Sequence, residues 1–318
     1  MTAYDIFNGD ADGLCALHQL RLHEPRDAQL VTGTKRDNAL VGRVRPAAGD
    51  RLTVLDLSLD ENRDALHDAL EAGASCLYFD HHFPGQPLSH PRLEAYIRCT
   101  PEVCTSLLVD EYLGGRYRAW AVVAAFGDNL LDPALDAARP LGLSASALDT
   151  LRALGACLNY NAYGESVEDL HFHPAELYRR LHRYQDPLGF ALHDPAFETL
   201  RNGYAADLAR AAEVTPQLET ATHLLVVLPD ERWSRRVSGP WANQLANRSP
   251  QRAHAVLAAK GRTFLVSVRA PLARPIGADA LCRQFPTGGG RPAAAGITVL
   301  AEPDLARFAS EFRRAFVP

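Results

Sequence analysis

Apolar and polar positions alternate between two regimes along the first 80 residues. Short apolar runs at Ala3 to Phe7, Gln29 to Thr32, Leu52 to Leu57 and Cys76 to Phe79 predict strands, whereas Gly13 to Leu22 and Glu61 to Ala72 carry the spacing of amphipathic helices. Strands and helices in this order indicate β-α-β units and a parallel sheet. From Val103 to about Asp132 the pattern turns helical, with Leu107, Leu108 and Tyr112 leading into the apolar run Ala119 to Phe126. Further helices are expected at Ala145 to Leu158, Pro174 to Tyr184 and Pro195 to Ala212. A second alternation starts after Val214-Thr-Pro216, with strands at His223 to Leu228, His254 to Leu257 and Thr263 to Val268. Helices are expected there around Trp241 to Ala246, at Ala278 to Phe285 and at Asp304 to Phe316. The fold class read from this pattern is α/β in two domains. An N-terminal parallel-sheet domain with a helical flank covers 1–190, a helical linker 191–215, and a smaller α/β domain 216–318. No internal repeat or low-complexity segment interrupts it.

Composition narrows the class. With 318 residues, 47% hydrophobic and 22% charged, the chain is ordinary globular protein, which excludes whole-chain disorder, a collagen-like repeat and a coiled coil. No run of about 18 apolar residues occurs, and Met1 to Phe7 lacks the basic and apolar regions of a signal peptide. The expected location is therefore cytoplasmic, with no membrane partner. The six cysteines form no C-x-x-C pair and are read as reduced core thiols. Lys35 and Lys260 are the only lysines among 33 basic residues, which, with the abundant alanine, reads as compositional bias.

Charge is unevenly spread. Glu231 to Pro318 holds 14 basic and 5 acidic residues, net +9, and the remaining residues hold 19 and 33, net -14. A protein that coats long nucleic acid is usually basic throughout its footprint. An acidic part and a basic part suit a small anionic ligand held between a metal-binding face and a phosphate-binding one.

The candidate chemistry lies where predicted strands end. Asp10-Ala-Asp12 follows the first, Asp56 the third, and Asp80-His81-His82 the fourth. In an open parallel sheet those ends share one edge, where ligand sites form. Each Asp taken singly reads as a helix cap or turn residue. Together, with two histidines, they read as ligands of a divalent ion that relieves their repulsion, and oxygen donors with an imidazole suit Mn(II) or Mg(II). Gly13 is read as permitting a tight turn into the next helix. Asp128, in Phe-Gly-Asp-Asn, is a fifth carboxylate or a C-cap. Gly288, Gly289 and Gly290 are read as a loop whose backbone N–H groups form an anion nest, with Arg291 as a phosphate fork and Arg269 as a second phosphate contact. His171-Phe-His173 lacks the spacing of a complete ligand set, and Trp233 and Trp241 read as core residues.

These segments resemble the DHH phosphoesterase family. Asn8-Gly-Asp-Ala-Asp-Gly13, Asp56 in Leu-Asp-Leu-Ser, Asp80-His-His82 and Gly127-Asp128 are similar to its first four motifs, and Gly288-Gly-Gly-Arg-Pro-Ala-Ala-Ala-Gly296 resembles the glycine-rich signature of the DHHA1 domain. The resemblance runs from about residue 4 to 300 and takes in Pro101 to Leu108 and Val266 to Arg269. It implies two divalent ions, Mn(II) favoured, held by Asp10, Asp12, Asp56, His81 and Asp128, with Asp56 bridging. It implies catalytic roles for Asp80 and for His82, the latter against the scissile phosphate, and an active site in an interdomain cleft. Asn8 stands where relatives often have Asp, so one metal position is poorer in charge, implying weak binding or filling only with substrate. The implied activity is hydrolysis of short oligoribonucleotides or linear dinucleotides to 5′-mononucleotides. Alternatives within the family are a RecJ-like single-stranded DNA exonuclease and a pAp or cyclic-dinucleotide phosphoesterase; outside it, a non-catalytic nucleotide-binding regulator. A homodimer is compatible with the reading.

Overall fold

The computed structural model describes residues 1–316 and divides into two compact units, Met1–Arg201 and Asn202 onward. The first unit opens with β1 (Ala3–Phe7), α1 (Ala11–His23), β2 (Gln29–Val31), β3 (Arg51–Leu55), α2 (Leu59–Glu71), β4 (Ser75–Asp80) and β5 (Leu93–Ile97). The strands form one all-parallel sheet in the order β2-β1-β3-β4-β5. Side chains alternate across it. Ile6, Val54 and Tyr78 join Leu66 and Leu70 of α2 on one face. Phe7 and Phe79, one residue along, meet Tyr178 and Tyr112 of the helical layer on the other.

That layer comprises α3 (Thr105–Tyr112), α4 (Arg118–Gly127), α5 (Leu131–Ala138), α6 (Ala145–Ala162), α7 (Pro174–Leu181) and α8 (Pro187–His193). α1 is buried along almost its whole length, so its polar residues need partners inside. Arg21 meets this demand with a paired contact to Asp5 of β1, at 2.5 and 2.8 Å, and a bond to Thr53 of β3 at 2.8 Å. His18 donates from Nε2 to the Tyr184 carbonyl at 2.9 Å and stands edge-on to Trp120. Burial, opposed by that hydrogen bond, lowers its pKa to about 4. Because the folded value lies below the ordinary 6.5, stability is intact above that pH and is lost as pH falls toward 4, by about 3 kcal/mol once below it. Urea unfolding at pH 7 and at pH 4.5 measures this loss. His18→Gln, which keeps a donor and does not titrate, flattens it.

α9 (Pro195–Ala212) occupies most of the segment expected as a linker, and the division between units falls within it. The second unit continues with β6 (Leu218–Glu219), β7 (His223–Leu228), α10 (Arg232–Arg248), β8 (Ala253–Lys260), β9 (Thr263–Arg269), α11 (Ala278–Cys282), β10 (Gly288–Gly290), β11 (Ala294–Ala301) and α12 (Leu305–Ala315). Its mixed sheet runs β10-β11-β9-β8-β7-β6, with only β7 and β8 parallel. Alternation along β7 sends Leu224, Val226 and Leu228 to α10 and Leu225 to the side of Phe308 and Phe312. Trp233 and Trp241 are buried in the α10 core, as their spacing with Val237 on one helix face requires. This shared burial carries α10 through Pro240, so it begins nine residues before the expected helix.

Other differences have physical causes. β5 escapes sequence reading because it is an edge strand whose middle three residues are exposed. β11 escapes it because Ala294-Ala-Gly296 has little strand preference and becomes a strand through pairing with β9. The glycine run is a strand paired with β11, not a loop. A Cβ at Gly288 would lie 1.7 Å from the Cys282 carbonyl oxygen, so close backbone approach demands glycine there. Gly13 likewise lies inside α1, not in a turn, where a Cβ would sit 2.1 Å from the Asn8 carbonyl oxygen. All six cysteines are free, and all but Cys99 are buried. No helix among the described residues is long and apolar enough to cross a membrane.

Candidate metal centre

Strand register builds the centre. Phe7 pairs with Leu55 and Leu55 with Phe79, so the next residues, Asn8, Asp56 and Asp80, stand side by side at the C-terminal edge. The ladder extends one further step, with Asn8 N–H donating to Leu55 O at 3.1 Å and Asp56 N–H to Phe79 O at 3.0 Å. β1 lies between β2 and β3, so this edge is where the strand order reverses.

Each acidic side chain is held by a different device. Asp10 is the N-cap of α1, its Oδ1 accepting from Asp12 N–H and Gly13 N–H at 3.0 and 3.1 Å. Asp12, two residues on, accepts from Thr105 N–H and Ser106 N–H at the start of α3, both at 2.7 Å. Asp56 has φ +58°, a left-handed conformation that turns its carboxylate away from the strand and toward Thr105 Oγ1, 3.2 Å away. Asp128 is the C-cap of α4, and the left-handed Asn129 after it ends the helix. Asp10, Asp12, Asp56 and Asp80 are buried, and the Asp128 side chain is 7% exposed.

His81 identifies what the group can hold. Its Nδ1 is 2.8 Å from the Val103 carbonyl, which can only accept, so Nδ1 carries the proton and Nε2 presents a lone pair when the ring is neutral. That Nε2 faces Asp56 Oδ1 at 3.3 Å, Asp128 Oδ2 at 3.5 Å and Asp12 Oδ2 at 3.9 Å. Electron-rich atoms converging in a buried site need a cation, and Asp12 and Asp128 with His81 form one group of oxygens and an imidazole that fits an oxygen-preferring divalent ion. Burial, compounded by repulsion from Asp10, Asp12 and Asp128, pushes the Asp56 carboxyl well above its usual range. Burial and Asp128 raise Asp12, partly offset by His81.

His82 points differently. Its Nδ1 donates to Asp80 Oδ1 at 2.7 Å, the side chain is 39% exposed, and Asp80 Oδ2 has no hydrogen-bond partner among the described residues. Asp80 thus orients the His82 ring. Asp56, His81 and His82 form a second group able to hold an ion.

Two features were not read from the sequence. Lys35, which composition alone does not single out, extends its ammonium into the centre and pairs with Asp10, with Asp128 at 3.3 Å and with Asn159 at 3.2 Å. Burial opposes its charge, but Asp10 and Asp128 outweigh that and hold the ammonium well above its ordinary range. Thr105 and Ser106 lie in the Pro101 to Leu108 segment already noted for its resemblance; the signal was present, but the role, capping with Asp12, was not visible.

Arg291 follows β10 and is exposed, its N–H bonded to Ala294 O. Arg269 ends β9 with its guanidinium on Asn243 Oδ1 at 2.5 Å, Val268 O at 2.8 Å and Gly239 O at 3.5 Å. His171 bonds Tyr160, and His173 caps α7.

No protein-family model and no curated protein matches the chain. Solved structures do. A RecJ structure with Mn2+ from Thermus thermophilus superposes with a TM-score of 0.66 at 18% identity over 98% of this chain and 51% of RecJ. A DHH domain described as a member of the s1p family of ribosomal proteins gives 0.63 at 14% identity, over 98% of this chain and 86% of that one. A pGpG-specific phosphodiesterase, PggH of Vibrio cholerae, gives 0.57 at 14% identity over 98% and 99%. The chain spans about half the length of RecJ and nearly all of PggH. It has the DHH fold, with its acidic and histidine motifs gathered at one sheet edge.

Proposed function

We propose that this chain is a divalent-metal-dependent phosphoesterase that hydrolyses short oligoribonucleotides or linear dinucleotides to 5′-mononucleotides. The observation that carries the proposal is the convergence of Asp12, Asp56 and Asp128 on the unprotonated nitrogen of His81. An ion bound there, Mn(II) favoured over Mg(II) by the imidazole, supplies Lewis acidity toward a phosphoryl oxygen and acidifies water. Thr105, Ser106 and the Val103 carbonyl orient the ligands through hydrogen bonds. His82, fixed through Asp80, is the group we assign to the scissile phosphate and the leaving oxygen. Arg291, which follows β10, is assigned to a substrate phosphate; Arg269, engaged by Asn243, is assigned second.

Short substrates are favoured by charge and by likeness. The residues before Glu231 carry a net -14, which disfavours a long polyanion, and PggH, which superposes over 98% of this chain and 99% of its own, is described as pGpG-specific. The RecJ likeness supports a second reading, a single-stranded DNA exonuclease. Product analysis over time separates them, using 5′-labelled RNA and DNA dinucleotides, pentamers and strands of about two dozen nucleotides, a length beyond any short-oligomer site, with pAp and a cyclic dinucleotide alongside. Loss of short RNA alone, with Mn(II) and not with EDTA, is expected. Processive shortening of the long DNA would establish the second reading. No cleavage under any condition would leave a nucleotide-binding regulator.

A further inference from the structure

Lys35 is built into the centre more rigidly than a surface lysine could be. It lies in the connection between β2 and β3, and its backbone is fixed on both sides. Its N–H donates to the Ala162 carbonyl at 2.9 Å, and its own carbonyl accepts from Asn8 Nδ2 at 3.1 Å. From that anchor the ammonium reaches acceptors on three elements: Asp10 at the start of α1, Asp128 at the end of α4 and Asn159 on α6. An ammonium has three donors and no acceptor, so these three oxygens satisfy it. The Tyr163 ring, its centroid 5.9 Å from Nζ, adds an aromatic face. A planar guanidinium could not take up that compact geometry, which is reason enough for lysine in a chain whose other basic residues, Lys260 apart, are arginine.

The surrounding carboxylates are divided accordingly. Asp10 spends Oδ1 on the α1 N-terminus and Oδ2 on Lys35. Asp128 gives Oδ1 to Lys35 and turns Oδ2 toward His81. The Asp10 side therefore has its counter-charge in direct contact, whereas the charge of Lys35 reaches Asp56 only through space, as the least of the influences on it. Asn8 belongs to the same arrangement. Its amide donates to the Lys35 carbonyl, which an aspartate carboxylate cannot do, and its Oδ1 accepts from Asp10 N–H at 3.2 Å. A carboxylate replaced by an amide and a lysine placed between two aspartates are thus one structural unit.

We infer that the Lys35 ammonium is a permanent cation standing on the Asp10 side where the resemblance implies a second ion, so that the chain binds a single divalent ion at the one lone pair of His81, which the Asp12 and Asp128 group and the Asp56 and His82 group share. The inference rests on the metal-dependent reading above. Its test counts ions and does not depend on turnover: equilibrium dialysis of the full chain against Mn(II) with elemental analysis, and electron paramagnetic resonance of the bound Mn(II). One ion per wild-type chain with a mononuclear spectrum is expected. Lys35→Met, with its fold checked by circular dichroism, is expected to take up a second ion with an exchange-coupled spectrum. Asn8→Asp, which returns the carboxylate and removes the donor that holds Lys35, should shift the count in the same direction. Two ions per wild-type chain would overturn the inference even if neither variant folds, and so would an unchanged count in both variants. A wild-type chain that binds no Mn(II) would instead sink the metal-dependent reading itself.

Discussion

Asp56→Asn is expected to leave the fold standing and to lower kcat by a factor on the order of 10³ or more, the size seen when a group acting directly at a reacting centre is removed. Asparagine is the informative replacement because Asp56 has φ +58°, a conformation that asparagine tolerates and alanine does not. It also keeps an oxygen for Thr105 Oγ1, so the loss reports the charge and not the backbone. Two further readouts separate a ligand from a structural residue. Mn(II) affinity should fall together with kcat. The metal-free variant should melt higher than metal-free wild type at neutral pH. The sign follows from the raised pKa: burial and neighbouring aspartates disfavour the ionised Asp56, so its charge costs stability as pH rises above the ordinary carboxylate range, and the neutral amide removes that cost. Wild-type turnover with wild-type Mn(II) affinity would remove Asp56 from the centre.

His82→Asn should act on chemistry and spare metal binding. Its amide can still donate to Asp80, as Nδ1 does at 2.7 Å, but the outer ring nitrogen is gone. A fall in kcat of about 10² to 10⁴ is expected, the range for a positioned acid or base, with one limb of the pH profile lost. Because His82 also stands with Asp56 and His81 in a group able to hold an ion, the Mn(II) isotherm decides between two roles. An unchanged isotherm assigns His82 to the substrate. A weakened one makes it a ligand and withdraws the acid–base role.

Much of the first unit was legible because the rules involved are local. β1, β3 and β4 are apolar runs of strand length, each followed within a few residues by aspartate, and parallel pairing places whatever follows them on one edge. The acidic motifs could therefore be grouped before any side-chain position was known. Other assignments depended on partners. The glycines from Gly288 to Gly290 suggest a loop in isolation and become a strand because β11 lies beside them. Gly13 suggests a turn and instead makes room for the Asn8 carbonyl. α10 runs through Pro240 because Trp233, Val237 and Trp241 share one buried face.

The sequence by itself determined the parallel sheet, the order of the acidic motifs along its edge and the presence of a second α/β unit, since each follows from periodicities of about two or 3.6 residues and from what stands at a strand end. Only the tertiary structure decided how charge is balanced there. The contacts of Lys35 with Asp10, Asp128 and Asn159 span 25, 93 and 124 residues, and those of Asp12 with Thr105 and Ser106 span 93 and 94. Such contacts have no local period, because an ammonium or an amide N–H finds its acceptor through the packing of whole elements and not through its neighbours in the chain.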